Sequence, residues 1–194
     1  VTVSICRSGR APTTTLTPDD ATEVLSVLAQ VSTMPTYQRE VRVESPLEAV
    51  WDFHSRIRGL EALTPDWMHL RVEEVRGPDG IKRGDDAVLD AGTTVRMSMR
   101  PLDVGPRQRW TTRITRREEG DGTAVFEDVM EDGPFPTWNH AHSFYAIDGE
   151  TTLVRDRVEY ELPVVRGLLG PLGWIGFEPM FRDRHRRTKR ILEV

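Results

Sequence analysis

Between residues 70 and 162 the chain holds six short runs of alternating apolar and polar residues, each closed by a turn signal, and one long helical pattern follows them. This order constrains the fold more than any other feature. Leu70, Val72 and Val75 precede Gly77-Pro78-Asp79-Gly80. Val95, Met97 and Met99 share one face of the run 87–99, which ends before Gly105-Pro106. Trp110, Thr112 and Ile114 are in phase ahead of Gly120-Asp121-Gly122. The run 123–130 stops at Asp132-Gly133-Pro134, and the runs 138–147 and 151–162 flank Asp148-Gly149-Glu150. Strands joined by turns this short pair antiparallel. An antiparallel sheet must cover one apolar face. The only long element available is the helix expected to end near Leu192, with Trp174, Phe177, Phe181, Thr188 and Ile191 near one side. The expected architecture is α+β: a curved antiparallel sheet of about seven strands wrapped around a long C-terminal helix. Such a shape leaves a concave apolar space, where small ligands bind.

Upstream, Tyr37, Arg39, Val41 and Val43 alternate as a strand. Ser45-Pro46-Leu47-Glu48 reads as a capping box, followed by Leu47, Val50, Trp51 and His54 on one helical face. Gly59 is expected to break that helix, and a second short helix is expected over 60–63. Residues 1–35 read as an extension with one amphipathic helix starting at Thr17-Pro18, so the main domain is expected to span 36–194. Pro179 is expected to kink the last helix or shift its start.

Composition narrows the function. The 194 residues carry 26 basic and 31 acidic side chains, a balance that argues against nucleic-acid binding. Cys6 is the only cysteine, which excludes disulfide frameworks and multi-cysteine metal sites. No apolar run has the length of a membrane span, and no apolar stretch marks an export signal, so a cytoplasmic protein without a transmembrane segment is expected. Residues 181–194 hold six basic residues against two acidic ones. That patch is a solvated helix end or a peripheral contact with a membrane or acidic partner. Phosphate loops, dinucleotide fingerprints, nucleophile elbows and zinc-protease motifs are all missing.

The informative stretch is 133–144. Trp138, His140, His142 and Phe144 are spaced by two, so on a strand they share one face, and the aromatics make it the inner one. On the next run, Val154, Asp156, Val158 and Tyr160 form the inner face. A three-residue loop at 148–150 sets His142 opposite Asp156, His140 opposite Val158 and Trp138 opposite Tyr160; a two-residue loop would turn apolar residues outward. Asp128, in phase with Phe126 and Met130, is a further candidate for the interior. The result is a buried His–Asp pair beside a second histidine and a tyrosine. It is either an acid/base or ligand-orienting cluster, or a polar network that sets strand register. His140, His142 and Asp156 could also supply three metal ligands, but the spacing fits no cupin motif, and no metal or other cofactor is expected.

Together these residues resemble the START-like helix-grip superfamily, which includes polyketide cyclase/dehydrases and lipid-transport domains. The matching residues are Gly133-Pro134-Phe135, Trp138-x-His140-x-His142-x-Phe144, Asp156-Arg157-Val158-Glu159-Tyr160-x-Leu162-Pro163, Phe181 and Arg184-His185. The resemblance is to an uncharacterised prokaryotic branch, and covers 36–192. It implies a hydrophobic cavity between sheet and helix, and a lipid, quinone or polyketide-like ligand. Apolar contacts are expected from Trp51, Val95, Met97, Trp110, Phe126, Trp138, Phe144, Val158, Phe177 and Phe181, and orienting contacts from His140, His142, Asp156 and Tyr160. An enzyme of the cyclase/dehydratase kind is the alternative, with His142 as general base paired to Asp156 and Tyr160 or His140 as donor to a carbonyl oxygen. A third is an interaction module acting through residues 1–35 or the basic tail. The oligomeric state is left open, as is whether Arg184 and His185 face the cavity.

Overall fold

The computed structural model describes residues 34–162 and 172–193, with backbone alone at 172–175. The chain divides into two units, Val1–Thr33 and Met34–Val194. The helix expected near Thr17 lies outside the described residues.

Seven antiparallel strands form one sheet: β1 (Thr36–Val43), β2 (Arg71–Arg76), β3 (Thr94–Met99), β4 (Gln108–Gly120), β5 (Thr123–Glu131), β6 (Thr137–Ala146) and β7 (Thr152–Glu161). Their order is β1-β7-β6-β5-β4-β3-β2. Each hairpin follows the chain, and β1 returns to pair with the last strand. Helices α1 (Leu47–His54) and α2 (Ile57–Leu63) link β1 to β2, and α3 (Leu172–Leu192) packs on the sheet. Irregular pairing at Val72/Glu74 and Ile114/Arg116 interrupts two ladders. Such bulges bend and twist a sheet, which allows it to curve around a helix.

Burial follows the two-residue period. In β7, Thr152, Val154, Asp156, Val158 and Tyr160 are all buried, while their neighbours are half-buried or exposed. Three clusters fill the concave side. Val43, Val50, Trp51, Phe126, Phe144 and Val154 pack under α1. Ile57, Val75, Leu89, Val95, Met97, Trp110 and Ile114 form a second cluster. Tyr37, Val158, Tyr160, Phe177 and Phe181 hold α3 against β1 and β7.

Several local expectations are corrected. The capping box does not form: Pro46 occupies the cap position, and no side chain caps the helix. Ser45 is buried, and its carbonyl accepts a hydrogen bond from Thr152 Oγ1 at 2.8 Å, which ties the segment to β7 instead. Gly59 does not break a helix but lies within α2. A Cβ there would overlap the Phe53 carbonyl oxygen, so the glycine lets α2 pack directly on the backbone of α1. The break falls at Ser55–Arg56, where Ile57 N–H and Leu89 N–H bond Ala87 O and Ser55 O. The strand expected over 87–99 shortens to β3 because Val88 makes only an isolated bridge, to Arg56. Pro179 is accommodated inside α3.

Candidate functional site

The site is built from β5, β6, β7 and α3. The β6–β7 hairpin has the longer loop: Ile147 N–H bonds Thr151 O at 2.8 Å. His142 then pairs with Asp156, His140 with Val158 and Trp138 with Tyr160. On the other side of β6, His140 lies opposite Asp128 of β5. The inward period of three adjacent strands thus gathers two carboxylates and two imidazoles, and α3 adds His185.

Asp156 is the hub and is only 1% exposed. Its Oδ1 accepts from His140 Nε2 at 3.0 Å, and its Oδ2 accepts from His185 Nε2 at 2.6 Å. His142 Nδ1 lies 2.8 Å from Oδ1 but out of hydrogen-bonding alignment. Burial opposes ionisation of Asp156, yet its contacts with His140, His142 and His185 outweigh burial and hold the carboxyl well below the usual range. Burial, then the neighbouring His142, lowers the pKa of His140, partly offset by Asp156 and Asp128. His140 is therefore neutral near pH 7 and donates Nε2–H to Asp156. Its Nδ1 lies 3.7 Å from Asp128 Oδ2, and His142 Nε2 lies 3.4 Å from the same oxygen. The rings of His140 and His142 are 3.7 Å apart, and His142 stacks on Phe126 at 4.0 Å.

A cavity of about 380 Å³ opens beside this cluster, at the lower end of the range for small-molecule sites (roughly 300–1,000 Å³). Strands β3 to β6, both short helices and α3 contribute to its lining. Of the residues singled out in the sequence, Val95, Met97, Trp110, Phe126 and Trp138 line it, with His140, His142, Phe177 and Phe181. Trp51, Phe144, Asp156, Val158 and Tyr160 lie outside the lining. Trp51 and Phe144 pack on each other under α1, and Trp51 Nε1 donates to Glu119 at 2.9 Å. Tyr160 packs on Phe177, and Asp156 sits behind the two histidines. The titratable lining groups are His54, Asp128, His140, His142 and Arg184.

Two of these, His54 and Arg184, carry more than the sequence assigned them. The stripe Phe177, Phe181, Arg184, His185 and Thr188 is buried, whereas Arg182, Arg186 and Arg190 are exposed. Arg184 therefore belongs to the inner side of α3 and not to its basic face. The 177, 181, 184, 188 spacing carried this signal, as it places all four on one side of a helix. Thr188 Oγ1 donates to Arg184 O, which leaves the hydroxyl to accept from His54 Nε2 at 3.3 Å. Burial, then Arg184, keeps the His54 pKa well below its ordinary value.

Asp128, His140 and His142 also hold the donor atoms for a metal. One ligand atom from each lies within 4.8 Å of the others. The carboxylate that converges with the imidazoles is Asp128 and not Asp156, which stands behind the rings where an orienting group would stand.

A seven-stranded antiparallel sheet gripping a C-terminal helix, with a cavity between them, defines a START-like helix-grip domain. Residues 43–188 match the polyketide cyclase / dehydrase and lipid transport family, and the chain belongs to it. Among solved structures, TTHA0849 from Thermus thermophilus is 20% identical, with 79% of this chain and 97% of that chain covered at a TM-score of 0.54. A START superfamily protein from Mycobacterium smegmatis is 12% identical, covering 81% and 97%, with a TM-score of 0.56. A nucleoside-diphosphate sugar epimerase from Corynebacterium glutamicum is 22% identical over 79% of this chain but only 28% of its own, with a TM-score of 0.53. These likenesses concern the fold. No functionally curated protein matches the chain. No described helix is long and apolar enough to cross a membrane.

Proposed function

We propose that the domain binds a small hydrophobic ligand of the lipid, quinone or polyketide-like kind in the cavity between sheet and α3. The observation that carries this reading is the cavity itself: about 380 Å³, walled largely by apolar and aromatic side chains, with polar groups confined to a few residues. Apolar walls supply affinity in proportion to the area removed from water, and a few polar groups set orientation. His140 is held by a hydrogen bond to Asp156, and His142 is packed between His140 and Phe126, so both rings line the cavity in a fixed pose. Family membership supports the same reading.

Native mass spectrometry of the protein as purified, followed by denaturing extraction, tests it. A co-purified apolar species at one per chain is expected. Bare protein that also fails to bind an apolar fluorescent probe would sink the reading.

A second reading is favoured by one observation. Asp156 contacts the Nδ1 side of His142, whose ring lines the cavity. His142 thus lies between two carboxylates, with Nδ1 toward Asp156 and Nε2 3.4 Å from Asp128, a cavity-lining residue, and a carboxylate beside a cavity imidazole can orient it as a general base. On this reading the domain catalyses a cyclase/dehydratase-type reaction, and His142 takes a proton from a carbon acid. His142→Gln would then abolish turnover while the ligand is still retained.

A further inference from the structure

Arg184 is a cation in a largely apolar place. It lines the cavity, is 9% exposed and has no ion pair among the described residues. Its Nε is buried with no hydrogen-bond partner. The other Lys and Arg side chains of α3 are paired or exposed: Arg187 pairs with Asp183 and Asp66, Lys189 pairs with Glu193, and Arg182, Arg186 and Arg190 are exposed. A guanidinium does not lose its proton in a protein, so it cannot escape burial by neutralising. Burying it unpaired is costly, and the cost is recovered when a counter-anion arrives.

The charge of that anion follows from its surroundings. Arg184 is the only Lys or Arg side chain that lines the cavity among the described residues. One guanidinium offsets one negative charge and would leave the second charge of a dianion unpaired in a largely apolar space, so the site suits a monoanion. The fork of N–H donors matches a planar carboxylate. Resting on the cavity reading above, we infer that the ligand is an amphipathic organic acid whose carboxylate pairs with Arg184 while its apolar body lies among Met97, Trp110, Trp138 and Phe177. The site would thereby discriminate an acid from the corresponding ester, alcohol or hydrocarbon, which apolar walls alone do poorly.

The test compares dodecanoate, dodecanol and dodecyl phosphate as competitors of an apolar fluorescent probe at pH 7.5, with the full chain. A charge-assisted hydrogen bond corresponds to about tenfold to a hundredfold in affinity, so dodecanoate is expected to displace the probe at least tenfold more tightly than dodecanol. In Arg184→Gln that ratio should fall toward one, and in Arg184→Lys it should survive in part. The wild-type ratio needs no variant, so a misfolded Arg184→Gln does not block the test. Equal affinity for dodecanoate and dodecanol in the wild type overturns the inference and leaves the cavity reading standing. A ratio that persists in Arg184→Gln overturns the assignment to Arg184. Tighter binding of dodecyl phosphate than of dodecanoate overturns the single-charge assignment. Failure of the probe and all three competitors to bind overturns the cavity reading, and the inference with it.

Discussion

His185 Nε2 lies 2.6 Å from Asp156 Oδ2, so one hydrogen bond joins the C-terminal helix to β7 through the core. The residues are 29 positions apart, and both are almost fully buried. The same carboxylate orients His140 on the neighbouring strand. Asp156 is thus at once a fastener between helix and sheet and the support of the cavity's polar side. Removing it leaves three imidazoles without their shared partner. Asp156→Ala removes the hydrogen bonds to His140 and His185 and is expected to cost on the order of 3–6 kcal/mol, at about 1.5–3 kcal/mol for each bond to a charged group. Urea denaturation measures it, and a loss below about 1 kcal/mol would show that the cluster does not hold the fold together.

Acid should weaken the fold in two stages. His54 and His140 have lowered pKa values in the folded protein, largely from burial. On unfolding they return toward about 6.5 and take up protons, so the unfolded state gains as pH falls below that value. Each contributes up to roughly 1.4 kcal/mol per pH unit below 6.5, until its folded pKa is reached. Asp156, with its depressed carboxyl, adds stability that is present above about pH 4 and is lost as pH falls through its folded pKa. Stability measured at pH 7.5 and pH 5.5 should differ, and His54→Phe should flatten the slope in that window. An unchanged stability across the window in the wild type would contradict the neutral-histidine assignment.

Gly59→Ala should destabilise, against the ordinary sign for a helix. In an open helix the change gains about 1 kcal/mol. Here the new methyl group meets the Phe53 carbonyl oxygen, so α2 must move away from α1. A loss of roughly 1–3 kcal/mol is expected, the scale of an overpacked core. A rise in Tm would mean that the two helices separate freely.

Chelation should leave stability unchanged. Asp156 orients His140 and His185 through hydrogen bonds made by the protein alone. Thermal melts with and without a strong chelator are expected to superimpose. A fall in Tm, restored by a divalent ion and absent in Asp128→Asn, would assign a metal to Asp128, His140 and His142.

Much of this arrangement was legible in residue order. The choice of a three-residue hairpin over a two-residue one rested on keeping Val154, Val158 and Tyr160 inward, and the observed pairing of His142 with Asp156 follows from that choice. The structure departs from the expected capping box and from the expected break at Gly59 for one reason. Both positions have strong local preferences, and both are overruled by a contact from another element: the Thr152 hydroxyl of β7 at Ser45 and the Phe53 carbonyl of α1 at Gly59. Asp156 was legible as inward but not as sealed from the cavity, because a face assignment does not say how far a side chain is from open space.

The sequence by itself determined the succession of strands from β2 to β7 and the inward face of each, though not the start of β3, because a two-residue period and short turns leave few alternatives. Only the tertiary structure decided what stands opposite each inward residue across the cavity. That depends on how far the sheet curves and how α3 is rotated over it, which no local pattern encodes. The rotation brings Arg184 into the cavity lining and His185 onto Asp156. Two adjacent residues of a basic segment therefore become a cation at the ligand space and a fastener of the core.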